Sequence, residues 1–241
     1  QRYNFSSMKK IFIAALFLGA LFNSNIAFAQ TETSGREKVY RATHTKTTEL
    51  KHTKLKVNFD YQKEQMNGEE WLTASPYFYP SNQLVLDAKG MLIHEVALDN
   101  NGNKTPLKFD YKNDLLNITL DKIYQKNQDY TVYIKYTSRP NEVKQEGSAA
   151  INDAKGLYFI NAQGTDPDKP TQIWTQGETE SSSAWFPTID KPNQKTTQEI
   201  FMTVPDKYVT LSNGIMKSSN KESGGLRTDH WVMDKKHAPY L

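Results

Sequence analysis

The sequence predicts an all-β domain, and three observations support this. Apolar residues recur at every second position in many short segments, as in Leu55, Val57 and Phe59, and this is the period of a half-buried strand. Turn residues separate these segments, for example the DNNGN run at 99–103. No segment combines helical periodicity with capping residues. Short strands joined by regular turns favour an antiparallel β-sandwich or a large open sheet.

The strand pattern continues along most of the chain. The first predicted strand ends near Tyr61, and the Met66-Asn67-Gly68 sequence predicts a hairpin turn into a returning strand at 71–79. Pro76 and Pro80 place that returning strand at a sheet edge or a bulge. A polar turn is expected over residues 218–225. The other predicted strands lie at 83–86, 91–98, 107–111, 116–120, 130–136, 156–160, 200–204 and 226–233.

The first 29 residues have the pattern of a secretory signal. Residues 8–10 (MKK) supply a positive start at a plausible initiator Met8, residues 11–21 are apolar, and 27–29 (AFA) match a cleavage site. The apolar run is too short to predict a membrane span, and no cysteine follows it to carry a lipid, so we expect no stable membrane anchor. We expect an exported protein, either periplasmic or secreted. The predicted organisation is upstream residues and signal over 1–29, a polar leader over 30–51 and the β domain over 52–241.

Composition and motifs exclude several classes of protein. The chain has no cysteine, so burial of a core rather than disulfide bonds must stabilise it. Its formal net charge is +3 with interspersed charges, and no basic stripe indicates nucleic-acid binding. His94-Glu95 begins like the zinc motif HExxH, but the fifth position is Leu98 and the local alternation predicts a strand. The residues alone show no complete catalytic constellation.

Residues 171–214 are unusually dense in aromatic, proline and acidic residues. The apolar pair Ile173-Trp174 leads into a loop that carries Gln176 and Glu178. A carboxylate beside a glutamine in such a loop indicates a site, and a carboxylate near aromatic rings could bind an amine through charge-assisted hydrogen bonds. From the residues alone, a purely structural role for Glu178 stays open.

Several segments of this stretch, spaced over about forty residues, carry a family resemblance. They are WTQGE at 174–178, AWFP at 184–187, Asp190, Pro192, KTT at 195–197, VP at 204–205 and LSNG at 211–214. Together they resemble the aminopeptidase N family of zinc metallopeptidases, and the similarity extends over about 52–241. The resemblance implies a saddle-shaped antiparallel β domain, which in this family lies at the amino terminus and covers the catalytic domain.

The resemblance also implies a function for the complete protein. That function is removal of N-terminal residues from peptides with a free N-terminus, by a catalytic domain in cis that holds zinc through HExxH and a later glutamate. Neither the zinc motif nor the family's Gly-Ala-Met-Glu-Asn motif occurs in this sequence, so this chain alone is expected to be inactive and to bind no zinc. The alternative is a non-catalytic periplasmic binding or scaffold module that retains this β domain.

Two residues carry over from the family to this chain. Gln176 matches a glutamine that lines the pocket for the first side chain, and Glu178 matches a glutamate that binds the α-amino group of the peptide. The chain departs from the family at residues 182–184 (SSA), where an arginine is common, and at Lys191, where Asp-Glu-Pro is frequent. The first departure removes the contacts that the arginine makes and leaves their replacement unknown.

Overall fold

The computed structural model describes residues 44–143 and 154–241, and every structural statement below concerns these two ranges. The predicted signal segment and residues 30–43 of the predicted leader lie outside them. The described residues contain three short 3₁₀ helices, at Pro140–Glu142, Ser182–Ala184 and Ser223–Gly225, and no α-helix. The strands are β1 (Thr48–Asp60), β2 (Gln65–Pro76), β3 (Ser81–Asp87), β4 (Met91–Asn100), β5 (Asn103–Pro106), β6 (Lys108–Lys112), β7 (Leu115–Tyr124), β8 (Tyr130–Ser138), β9 (Leu157–Ile160), β10 (Gln172–Thr175), β11 (Thr196–Pro205), β12 (Ile215–Lys221) and β13 (Leu226–His237). The predicted all-β class is confirmed.

The strands form one large sheet and two small ones. The large sheet has eight strands in the order β12-β13-β11-β1-β2-β8-β4-β5. The second sheet has the order β3-β7-β6, and β9 and β10 form a separate two-stranded hairpin. Within the described residues all strand pairs are antiparallel except β1 and β11, which run parallel from His52 opposite Thr197 to Asn58 opposite Thr203.

The core lies between the large sheet and the three-stranded sheet. Strand alternation directs Leu55 of β1 and Ile134 of β8 to the inner face of the large sheet, where both are fully buried. They belong to one apolar cluster with Leu86 of β3 and Ile118 of β7. Because each sheet has one apolar face, stacking the two faces removes both from water. No helix of the described residues has the length and apolar character needed to span a lipid bilayer.

The predicted turn at 66–68 is wrong. The chain turns at residues 61–64, and Met66 and Gly68 lie inside β2, opposite Phe59 and Val57 of β1. Gly68 is needed for packing instead, because a Cβ atom there would lie 2.3 Å from Cζ of the buried Tyr136 ring. A glycine within a strand therefore marks a close approach of another side chain at this position.

Other boundaries also differ from the prediction. β2 lies between β1 and β8, so it is not the edge strand that Pro76 and Pro80 offered as one alternative. β1 begins at Thr48, before the expected start at His52, and the expected polar turn over 218–225 overlaps β12. β12 and the unpredicted β5 are the two edge strands of the large sheet, and nearly all of their residues are exposed. An edge strand that is exposed on both faces needs no alternation of apolar residues, so its pattern does not differ from that of a polar loop.

Candidate functional site

The two predicted site residues directly follow β10. The Gln176 amide donates a hydrogen bond to the Gly156 carbonyl at 2.9 Å, so the end of β10 is tied to the start of the β9–β10 hairpin. Gly177 is buried and has no room for a side chain, because a Cβ atom there would lie 2.5 Å from Cα of Tyr240 and 2.6 Å from Oγ of Ser182. The hairpin and this close approach hold the backbone between Gln176 and Glu178.

Gln176 lines an open cleft with a volume of about 660 Å³. The cleft passes between this loop, the indole of Trp185 and the 211–214 segment, and Pro239 and Tyr240 also line it. Glu178 does not line the cleft, and it lies two positions further along the loop with an exposed side chain. The structure therefore places Gln176 in the wall of the cleft and Glu178 beside it.

The two glutamates of the loop differ in their partners. Oε2 of Glu180 accepts a hydrogen bond from Nζ of Lys191 at 2.6 Å. The Glu178 carboxylate has no hydrogen-bond or ion-pair partner among residues 44–143 and 154–241. Sequence alone does not separate these two acidic residues. In the structure Glu180 forms an ion pair within the loop, and Glu178 forms none with the described residues.

The buried 3₁₀ helix Ser182–Ala184 occupies the position where the family commonly has arginine. Its backbone supplies the local contacts, because the Ser183 amide donates to Oδ2 of Asp190 at 2.8 Å and the Lys89 amide donates to the Ser183 carbonyl at 2.8 Å. Burial raises the pKa of Asp190, while the hydrogen bond from Ser183 and the positive charge of Lys89 oppose that rise. A backbone donor thus serves the buried carboxylate here.

The second half of the loop is bound to the three-stranded sheet. Thr188 and Asp87 exchange two backbone hydrogen bonds, of 2.7 and 3.0 Å, and Asp190 donates its amide to Oδ2 of Asp87 at 2.9 Å. Phe186 is buried in the core cluster, with its ring centroid 4.3 Å from that of Trp185. The WFP and DKP segments therefore connect the cleft wall to the core.

A second cavity of about 540 Å³ lies beside the first, and sequence reasoning missed it. It is bounded by the inner face of β1 and β11, by Ile173 and Trp174 of β10, and by residues 208–212. Trp185 and Leu211 line both cavities. The signal that the sequence offers for this cavity is the apolar pair Val209 and Leu211. The structure leaves these two side chains 95% and 84% exposed.

The histidines form no metal centre in the described part of the chain. Nε2 of His94 lies 2.9 Å from Oγ1 of Thr137, in contact with a strand hydroxyl. No group of three or more His, Cys, Asp or Glu side chains in residues 44–143 and 154–241 is arranged to hold a metal ion. These residues do not fit a zinc site, so no catalytic step through zinc can be derived from this chain.

The family model of the Peptidase M1 N-terminal domain matches residues 47–241. The chain belongs to this family. It is similar in fold to the M1 zinc metallopeptidase from Deinococcus radiodurans, with a TM-score of 0.68 and 16% identity over 83% of this chain and 42% of that one. A mutant of that enzyme bound to a Tyr-Ser-Ala substrate has a TM-score of 0.68 and 15% identity, covering 83% and 42% of the two chains.

A mutant of a two-domain M1 zinc metallopeptidase bound to L-tryptophan is also similar, with a TM-score of 0.67 and 15% identity over 83% of this chain and 43% of that one. The M1 domain described here therefore spans less than half the length of these structures. At such identities the likeness establishes the shared fold, and the relatives are zinc metallopeptidases that act on peptides.

Proposed function

We propose that this M1 domain is the substrate-recognition part of an exported zinc aminopeptidase that removes N-terminal residues from peptides. The observation that carries the proposal is the free carboxylate of Glu178 beside the cleft wall formed by Gln176. Membership of the M1 family supports the reaction class. The signal pattern of residues 1–29 supports export to the periplasm or the medium.

The proposed role of Glu178 is to hold the ammonium group of the peptide. A carboxylate and an ammonium form charge-assisted hydrogen bonds, which are stronger than neutral ones and restrict the position of the amine. Gln176 would contact the first side chain from the cleft wall. A peptide with a blocked N-terminus offers no ammonium, so it would leave Glu178 unpaired and lose this contribution. Zinc and its chemistry belong to the rest of the proposed enzyme.

Substitution of the two glutamates of the loop, Glu178 and Glu180, tests the amine-binding role. In the complete protein, Glu178→Gln removes the charge with little change of shape, and we expect kcat/KM for free-amine substrates to fall by about 10- to 100-fold, the scale of a hydrogen bond to a charged group. The matched control is Glu180→Gln, which loses a partly exposed ion pair and should stay close to wild type. Equal kinetics for Glu178→Gln and wild type would reject the amine-binding role.

A second experiment separates the enzyme from a non-catalytic binding module. The chain of 241 residues and the complete gene product are each assayed with aminoacyl-anilides, and the zinc content of each is measured. Activity and zinc in the complete product alone support the enzyme. Peptide binding without turnover in the complete product would favour the binding module, and turnover by the chain alone would overturn the proposed division of roles.

A further inference from the structure

One buried carboxylate connects the loop of residues 176–190 to the core. Asp190 is 2% exposed. Its Oδ2 atom accepts a hydrogen bond from the Ser183 amide at 2.8 Å, and its own amide donates to Oδ2 of Asp87, at the end of β3, at 2.9 Å. Asp190 therefore joins the 3₁₀ helix Ser182–Ala184 to the three-stranded sheet.

Both backbone polar groups of Ser183 are hydrogen-bonded. Its amide is bonded to Asp190, and its carbonyl accepts from the Lys89 amide at 2.8 Å. Ser183 is fully buried, so removal of Asp190 takes the acceptor from an N–H group that has no direct contact with solvent. A buried donor without an acceptor is costly, and the cheapest relief is a shift of the short helix away from its present position.

Neighbouring contacts transmit such a shift to the backbone around Gln176 and Glu178. The Ser181 amide donates to the Gly177 carbonyl at 2.9 Å, and Oγ of Ser182 donates to the Pro239 carbonyl at 2.7 Å. Gly177 is the residue between Gln176 and Glu178, and it packs against Oγ of Ser182 without space for a side chain. Movement of the helix therefore displaces the backbone that carries both recognition residues.

We propose that Asp190 is a positioning residue, which sets the place of Gln176 and Glu178 through Ser183 and thereby controls capture of the peptide amine without touching it. This inference rests on the function proposed above.

The kinetic test is a double-mutant cycle in the complete protein. Asp190→Ala should raise KM for a free-amine substrate about tenfold with kcat within about twofold, while Asp190→Asn, which keeps an oxygen acceptor, should retain most of the affinity. In the Glu178→Gln background Asp190→Ala should have almost no further effect, since residues that act through one contact are not additive. Additive effects, or an unchanged KM for Asp190→Ala, would overturn the inference.

Hydrogen exchange separates this inference from the proposed function. In the complete protein, the peptide covering residues 177–190 should exchange faster in Asp190→Ala than in Asp190→Asn, with other regions unchanged. Unchanged exchange would overturn the positioning role, whatever the kinetics. Faster exchange together with no effect of Glu178→Gln on kcat/KM would instead reject the proposed function and leave the positioning of the loop in place. If Asp190→Ala does not fold, Asp190→Ser, whose hydroxyl is too short to reach Ser183, replaces it in both experiments.

Discussion

Two carboxyl groups of this M1 domain are both hidden from solvent and meet opposite surroundings. Asp229 of β13 is 2% exposed and accepts hydrogen bonds from Nε and Nη2 of Arg227 at 2.8 and 2.9 Å, from Thr210 at 2.7 Å and from Ser219 at 2.6 Å. Glu70 of β2 is fully buried, and neither of its oxygens has a hydrogen-bond partner within the described residues.

The difference between them is visible in their pKa values. Hydrogen bonds from Arg227, and further ones from Ser219 and Thr210, outweigh burial and lower the pKa of Asp229 to about 2. Burial raises the pKa of Glu70 well above its ordinary value. Burial alone therefore does not decide the charge of a carboxyl group in this domain, because the number of donors that reach it does.

Position in the large sheet explains the difference. Glu70 lies in the central strand β2, opposite Leu55 of β1 and Ile134 of β8. Its side chain lies on the inner face of the sheet, among apolar side chains. Asp229 lies next to the edge strand β12, where Ser219 of that strand and the 206–210 segment can reach it. Asp229 thus ties this segment to β13, and the segment leads into residues 211–214 of the cleft.

The largest expected effect is that of Asp229→Ala. It leaves the Arg227 guanidinium and two hydroxyl groups without their shared acceptor, and breaking such a buried pair costs about 3 kcal/mol of unfolding free energy. Urea denaturation measures the loss. The matched control is Asp234→Ala on the same strand, since the side chain of Asp234 is 79% exposed and its loss should not be measurable. Equal stability of the two variants would contradict the stabilising role of the Asp229 hydrogen bonds.

The second effect is on acid stability. The pKa of Asp229 in the folded state, about 2, lies below the ordinary value of about 3.9, so its contribution is present above pH 4 and is lost as the pH falls towards 2. The loss is on the order of 2 kcal/mol. Unfolding free energies of wild type and Asp229→Asn, measured from pH 2 to 6, should converge at the acid end. Parallel curves would show that the pKa of Asp229 is the same in the folded and unfolded states, and would contradict the lowered value.

The third substitution is expected to stabilise the domain. Glu70→Met keeps the length of the side chain and removes an unpartnered carboxyl group from the core. At pH 7 we therefore expect the free energy of unfolding to rise by about 1–2 kcal/mol. Because the folded pKa of Glu70 is raised, wild-type stability is full below the unfolded value of about 4.3 and falls as the pH rises through the folded value, so the gain grows with pH.

The neighbouring Glu69 is the control for that substitution. It points to the other face of the sheet, where it accepts a hydrogen bond from the Tyr133 hydroxyl at 2.6 Å, so Glu69→Met should destabilise the domain. Chemical denaturation at pH 5 and 8 compares the two variants. A loss of stability in Glu70→Met would mean that the core supplies Glu70 with a partner, such as a buried water.

The loop of residues 176–190 shows how far prediction from sequence reaches. The motif around residues 174–214 identified the family and named Gln176 and Glu178. The hydrogen bond between Ser183 and Asp190 could not be predicted, because contacts to Asp87, at the end of β3, and to Lys89, in the turn that follows β3, bring these residues together. The sequence also does not show which of Glu178 and Glu180 is the free carboxylate. Both are acidic residues of one loop, and only the position of Lys191 distinguishes them.

Strands of the core were predictable from the sequence by itself, because the direction of each side chain depends on its place in the local period of two. That rule determined the all-β class and most strands of this domain, and it failed at the edge strands β5 and β12 and at Gly68, where packing with Tyr136 replaced a turn. The tertiary structure alone decided the parallel pairing of β1 with β11, the donors that reach each buried carboxylate and the cleft beside Gln176. These depend on which distant segments come together, a property of the whole fold rather than of any local pattern.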